Sequence, residues 1–127
     1  MTHYFKEQLE KMQAGSYPDG NPPAAGLRYN AGKLRYDLIP PDALEVLAGI
    51  FTMGAKKYTA RNWEKGFVWT ECYASLMRHL QEWAKGEDFD DESGFPHMGH
   101  VMWNAMALTT FQLRKVGVDD RPSTRDD

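Results

Sequence analysis

The stretch from His97 to Lys115, HMGHVMWNAMALTTFQLRK, carries helical signals but no clean solvent side. At roughly 100° per residue, Met98, Met102, Ala105 and Thr109 share one side, Val101, Leu108 and Phe111 another, and Trp103 and Ala107 a third. A helix that is apolar all round must be covered from several directions. A chain of 127 residues fits one domain and has limited material for that covering. A homo-oligomer whose partner helices complete the core is therefore expected.

Two further helices precede this one. Pro40 and Pro41 mark a helix entry, after which Leu44, Leu47, Phe51, Ala55 and Tyr58 recur at three and four residues. Lys56 and Lys57 sit where a helix C-terminus welcomes positive charge. The next helix starts near Thr70, a suitable N-cap, and stops at Gly86. Its apolar side is Leu76, Leu80 and Trp83, widened by Tyr73 and Ala84; Glu71, Ser75, Arg78, His79 and Glu82 face the other way. Gly117 and Pro122 close the last helix. No convincing strand pattern and no internal repeat occur, so the chain reads as all-α. Residues 1–27 read as a short helix and a Gly- and Pro-rich loop, 28–117 as the main domain, and 118–127 as a polar, mobile tail.

Composition closes several routes. The single cysteine excludes an intramolecular disulfide and a cysteine-rich zinc finger. No stretch approaches the length of apolar residues that a membrane span needs, and MTHYFKEQLE lacks a signal-peptide core, so a cytoplasmic, membrane-free protein is expected. The net charge of -3 argues against a general nucleic-acid binder.

That near-neutral total hides a separation. Arg28 to Lys65 carries seven basic residues against four acids, net +3, whereas Glu82 to Gly94 carries six acids against Lys85, net -5. Polar loops attract charge for ordinary reasons, but such a pattern also suits an anion and a cation held side by side. Oxygen-rich carboxylates suit Mg²⁺ or Mn²⁺, and Glu82, Asp88, Asp91 and Glu92 are the candidates. His79 lies three residues before Glu82, so both can address one point. His97, His100 and Asn104 project within one quadrant of an otherwise apolar helix, as functional groups or as buried structural ones. Lys33, Arg35, Lys56 and Lys57 can neutralise phosphate; Asn62 and Trp63 offer a base hydrogen bond and a stacking plane, though Trp63 serves equally well as a core anchor. HMGH lacks the glutamate of a metalloprotease motif, and no P-loop is present.

In order, GKLRYDLIPPDAL, GAKKYTARNWEKG and RHLQEWAKGEDFDDESGFPHMGH resemble the phage and bacterial dATP/dGTP diphosphohydrolases, small relatives of the MazG-like all-α pyrophosphohydrolases. The resemblance covers Gly32 to Leu113 and implies a MazG-like helical bundle, dimeric or tetrameric, with active sites between subunits. It implies hydrolysis of a purine deoxynucleoside triphosphate to the monophosphate and pyrophosphate with Mg²⁺ or Mn²⁺, in some phages serving a 2-aminoadenine pathway. Carried onto this chain, it implies Glu82, Asp91, Glu92 and His79 at the metal, with Glu82, Glu92 and His79 catalytic. Arg78, His97 and Asn104 then join Lys33, Arg35, Lys56, Lys57, Asn62 and Trp63 around the substrate. The sequence departs from the family's paired acidic motif in placing His79 at the first position of the pair that ends at Glu82. A pyrimidine or damaged-nucleotide pyrophosphohydrolase, and a non-catalytic nucleotide-binding helical oligomer, are the alternatives.

Overall fold

A computed structural model describes residues 5–13, 26 and 32–122. The expected loop across residues 16–25, the residues 28–30 and the last five residues of the expected tail lie outside these. The chain divides into two compact units, Met1–Ile39 and Pro40–Asp127. In the first unit α1 spans Lys6–Gln13, and a 3₁₀ turn spans Tyr36–Leu38. The second unit holds α2 (Pro41–Lys57), a 3₁₀ turn (Asn62–Lys65), α3 (Trp69–Ala84) and α4 (His97–Arg114). Among the described residues there is no strand, only two isolated β-bridges. The fold is all-α, as expected.

α2 begins where the sequence places it, with Pro41 at the first helical position and no lost hydrogen bond. α3 differs at its start. It opens at Trp69 after Val68, and Thr70 lies inside the first turn. The Thr70 backbone N–H, freed by its place in that turn, donates to Asp120 Oδ1 at 3.0 Å, and its hydroxyl also bonds the Asp120 carboxylate. An acid from far along the chain thus supplies the cap that Thr70 was expected to supply. Trp69 N–H donates to the Val118 carbonyl at 2.9 Å, its indole donates to the Val116 carbonyl at 3.0 Å, and Arg121 lies 5.0 Å over its ring. Residues 116–121 are thereby held against the start of α3. Lys115 at φ 57° makes the left-handed stop after α4, ahead of Gly117. A Cβ at Gly66 would collide with the Gly117 backbone, so both glycines are required where these loops cross.

The core is aromatic. Phe111 is fully buried with Ala107 and Cys72, and Trp63, Phe67, Trp69 and Trp103 pack around them. Trp63 lies 5.5 Å from Phe51, 5.9 Å from Trp103 and 6.0 Å from Phe111. Burying a side chain such as Phe111 is worth roughly 1.5–3 kcal/mol. α3 packs along α4, and α2 packs on α4 where Gly99 meets Val46 and Ile50.

The inward face of α3 is shifted from its apolar side: Leu76 and Leu80 stay half-buried, but Tyr73 and Trp83 do not. Tyr73 is 57% and Trp83 49% exposed, while Cys72 is buried and Ser75, Leu76 and His79 are partly so. Ser75 and His79 belong to the side read as polar, and they turn inward because α4 presents His97, His100 and Asn104 to meet them. Polar groups can be buried when they satisfy one another. On α4 the flank of Met98, Ala105, Met106 and Leu113 stays exposed within one chain.

Candidate functional site

The acidic connector between α3 and α4 folds into a tight loop held by its own backbone. Asp90 N–H donates to the Phe95 carbonyl and Gly94 N–H to the Asp90 carbonyl, both at 2.8 Å. Ser93 N–H bonds Asp90 Oδ2 at 2.9 Å, and His97 N–H bonds the Asp88 carbonyl at 2.9 Å. Gly94 supplies the φ of 78° that the turn needs. The Phe95 ring then seats on α2 at Gly49, where a Cβ would lie 2.6 Å from Cε1. These contacts fix Asp90 against the inward faces of α3 and α4.

There it meets the histidines. His79 Nδ1 and His97 Nδ1 are 2.9 Å apart, and the His79 ring stacks on His100 at 4.3 Å with 13° between planes. His100 Nε2 lies 2.7 Å from Ser93 Oγ and 3.7 Å from Asp90 Oδ2. Ligand atoms of His79, Asp90 and His97 all fall within 4.8 Å of one another. His97 is only 3% exposed, and its Nε2 has no hydrogen-bond partner; Glu87 Oε1 stands 3.6 Å away. A buried donor left this way costs roughly 1–3 kcal/mol. Asn104, also buried, donates to the His100 carbonyl at 2.9 Å and to Ser75 Oγ at 3.3 Å, which anchors the His100 turn to α3.

Protonation follows from this crowding. Burial pushes the His79 and His100 imidazoles below their ordinary value; His100 and His97 lower His79 further, as His97 does His100, while Asp90 pulls the other way in both. Burial works against ionising Asp90, yet the hydrogen bonds from Ser93 and the neighbouring histidines outweigh it and leave its carboxyl low. Neutral imidazoles beside an ionised carboxylate are the states in which these groups bind a metal.

His100, Ser75 and Asn104 open onto a cleft of about 1070 Å³, walled by Phe51, Trp63 and Trp103. Arg61, Glu64, Arg114 and Lys57 also line it. Glu64 ties two of these cations, accepting from Arg114 Nη1 at 2.7 Å and Arg61 Nη1 at 3.3 Å. The Arg114 hydrogen bond draws the Glu64 carboxyl below its usual range, against the effect of desolvation and with help from Arg61.

The sequence-predicted residues distribute unevenly. His79 and His97 enter the cluster, Asn104 supports it, and Asn62, Trp63 and Lys57 line the cleft. Glu82 sits beyond His79 with its carboxylate bonded by Lys85 Nζ at 3.1 Å; that bond lowers its pKa, and Glu87 and His97 assist. Asp91, Glu92, Asp88, Arg78 and Lys56 are exposed, and Asp91, Glu92 and Glu82 are outside the group of ligand atoms around His79. Lys33 and Arg35 belong to the first unit, where Arg35 Nη2 pairs with Asp37 at 2.7 Å. Sequence reasoning did not single out Asp90, Ser93, Glu87, Glu64 or Arg114. Nothing in the DFDDES run distinguishes Asp90 from Asp91; only the turn at Ser93 and Gly94 selects it.

A family model described as "dATP/dGTP diphosphohydrolase, N-terminal" matches residues 23–121. The chain is 30% identical over 96 residues to a dATP/dGTP diphosphohydrolase of Salmonella phage PMBT28, covering 76% of this chain and 33% of that protein. It therefore spans about a third of the curated relative it matches. No solved structure matches. With the match extending across the connector, the histidine cluster and the cleft, the chain belongs to the dATP/dGTP diphosphohydrolase N-terminal domain family.

Proposed function

We propose that this chain hydrolyses purine deoxynucleoside triphosphates, dATP or dGTP, to the monophosphate and pyrophosphate at the site formed by His79, Asp90, His97 and His100. The observation that carries the reading is the union of a potential cation site with an aromatic-walled cleft of nucleotide size, through His100. Family membership supplies the substrate class.

The residues present fit a divalent cation. The facing Nδ1 atoms of His79 and His97, 2.9 Å apart, and the Asp90 carboxylate beside them are the supporting features. His79, Asp90 and His97 would hold it. Bound there, Mg²⁺ or Mn²⁺ supplies positive charge against the phosphates and lowers the pKa of a coordinated water.

In the reaction, a water oxygen bonds to the α-phosphorus and gives up a proton to solvent, the bond to the bridging oxygen breaks, and pyrophosphate leaves with the electron pair. The aromatic wall of Phe51, Trp63 and Trp103 with Asn62 receives the base. Lys57 and Arg61 offset the charge of the departing pyrophosphate. Asn104 and Ser93 hold His100, and Ser93 holds Asp90, so the polar groups keep their directions without reorganising. A homodimer or tetramer covering the open flank of α4 completes the proposed working unit.

The test is chromatography of reactions with each of the four deoxynucleoside triphosphates, with and without Mg²⁺ or Mn²⁺. Metal-dependent loss of dATP or dGTP is expected. Consumption confined to pyrimidine nucleotides, or binding without turnover, overturns the reading.

A further inference from the structure

We infer that His79, Asp90 and His97 form a nitrogen-rich site that selects a first-row transition-metal dication over Mg²⁺, with Glu87 as the positioning residue for His97. The inference deepens the hydrolytic reading by naming the cation class of that same site.

The argument starts from proton placement. Only one proton fits between two Nδ1 atoms 2.9 Å apart. His97 faces a carboxylate with its other nitrogen, Glu87 Oε1 at 3.6 Å from Nε2. A bare Nε2 lone pair there would meet negative charge, so the geometry favours a proton on His97 Nε2 and a Nδ1 lone pair directed into the cluster. A metal-ligating histidine commonly directs its far N–H to a carboxylate that fixes its tautomer, and Glu87, 3.6 Å from Nε2, is the carboxylate placed for that role. Two nitrogens on one ion with bonds of roughly 2.0–2.1 Å lie about 3 Å apart, so the observed pair is already spaced for sharing one, which would displace the proton between them to solvent or to the far nitrogen of His79. The ring positions are also set: His79 stacks on His100, and Phe95 stands nearly perpendicular to His100 with ring centres 6.5 Å apart.

The donor set then decides the cation. Mg²⁺ favours oxygen ligands in a near-octahedral shell and releases its waters reluctantly. This cluster offers two imidazoles and one carboxylate, a set that suits Mn²⁺, Co²⁺ or Zn²⁺ better. Glu82, Asp91 and Glu92, which would have made an oxygen site, are not in the group, and Lys85 occupies Glu82.

The experiment titrates the full chain, without nucleotide, with Co²⁺ and separately with Mg²⁺ by calorimetry, and follows Co²⁺ by its visible absorption. Co²⁺ is expected to bind at least about tenfold more tightly than Mg²⁺, with an absorption spectrum of mixed nitrogen and oxygen ligation. His97→Gln should abolish that spectrum. Because His97 is buried, Glu87→Gln is the second variant: it lies at the rim, and it should weaken Co²⁺ binding by roughly 10–100-fold with the circular dichroism and melting curve retained. Equal affinities for the two ions, no Co²⁺ binding, or Co²⁺ affinity unchanged in folded His97→Gln and Glu87→Gln overturns the inference. Turnover of dGTP alongside any of those results leaves hydrolysis standing and removes only the nitrogen site. Tight Co²⁺ binding lost in both variants, with no nucleotide turned over, supports the site and removes the hydrolytic reading.

Discussion

Two glycines of α2 provide a comparison in which opposing effects can be separated. Replacing a helix-interior glycine by alanine gains about 1 kcal/mol when nothing obstructs the new methyl. At Gly54 an added Cβ meets nothing within 4 Å, so Gly54→Ala should gain most of that amount. At Gly49 the same atom would lie 2.6 Å from Phe95 Cε1 and 2.8 Å from Cζ. Ordinary carbon contacts are about 3.5–4.0 Å, so the ring must withdraw by roughly 1 Å. Overpacking of this kind costs typically 1–3 kcal/mol, which cancels the helix gain or exceeds it. Gly49→Ala should therefore be neutral to about 2 kcal/mol destabilising, and the two variants should differ by roughly 1–3 kcal/mol. The displaced ring also pulls on the loop, since the Phe95 carbonyl accepts from Asp90 N–H. Gly49→Ala should accordingly weaken cation binding, and Gly54→Ala should not. Urea unfolding followed by circular dichroism, with a Co²⁺ titration of each variant, measures both. Equal stabilisation by the two substitutions would refute the close seat of Phe95 and its link to Asp90.

Cys72 is buried, and desolvation, then Glu71, raises its thiol pKa, so Ellman's reagent should react only after unfolding; a fast native reaction contradicts that burial. Asp120 is held below 3.8 by hydrogen bonds from the Thr70 hydroxyl and backbone N–H. Its contribution is complete above 3.8 and disappears as pH falls through the lower folded-state value, because the unfolded chain takes up the proton first. Asp120→Ala should lower the melting temperature at neutral pH and shallow the acid limb below the ordinary aspartate value of 3.8; an unchanged limb rejects the cap. Sedimentation should show a dimer or tetramer that Leu113→Glu dissociates to monomer, whereas a monomeric wild type would leave the α4 flank uncovered.

The helices were legible because their signals are local. Pro40 and Pro41, the stripe from Leu44 to Tyr58, and Gly86 act within a few residues of themselves. The start of α3 was misread because its cap, Asp120, comes from far along the chain. The inward face of α3 is legible only in part, for a related reason. Hydropathy assigns Ser75 and His79 to solvent, but Asn104 and His97 satisfy them from α4. The pairing of His79 with the polar quadrant of α4 was accessible in outline, since both faces stand out by composition. The choice of Asp90 was not, because it depends on which carboxylate the Ser93–Gly94 turn directs inward. Likewise Arg114 carries no sequence signal; it lines the cleft and pairs there with Glu64, a residue distant in sequence.

Phosphorus NMR of dGTP incubated with Mn²⁺ and the wild-type chain, beside a folded His79→Asn variant, tests the central claim most directly. The account predicts dGMP and pyrophosphate as the only products, and a rate at least about 100-fold lower for His79→Asn, as loss of a group that holds the catalytic cation produces. Equal rates for the two proteins, or dGDP with orthophosphate as products, would contradict it.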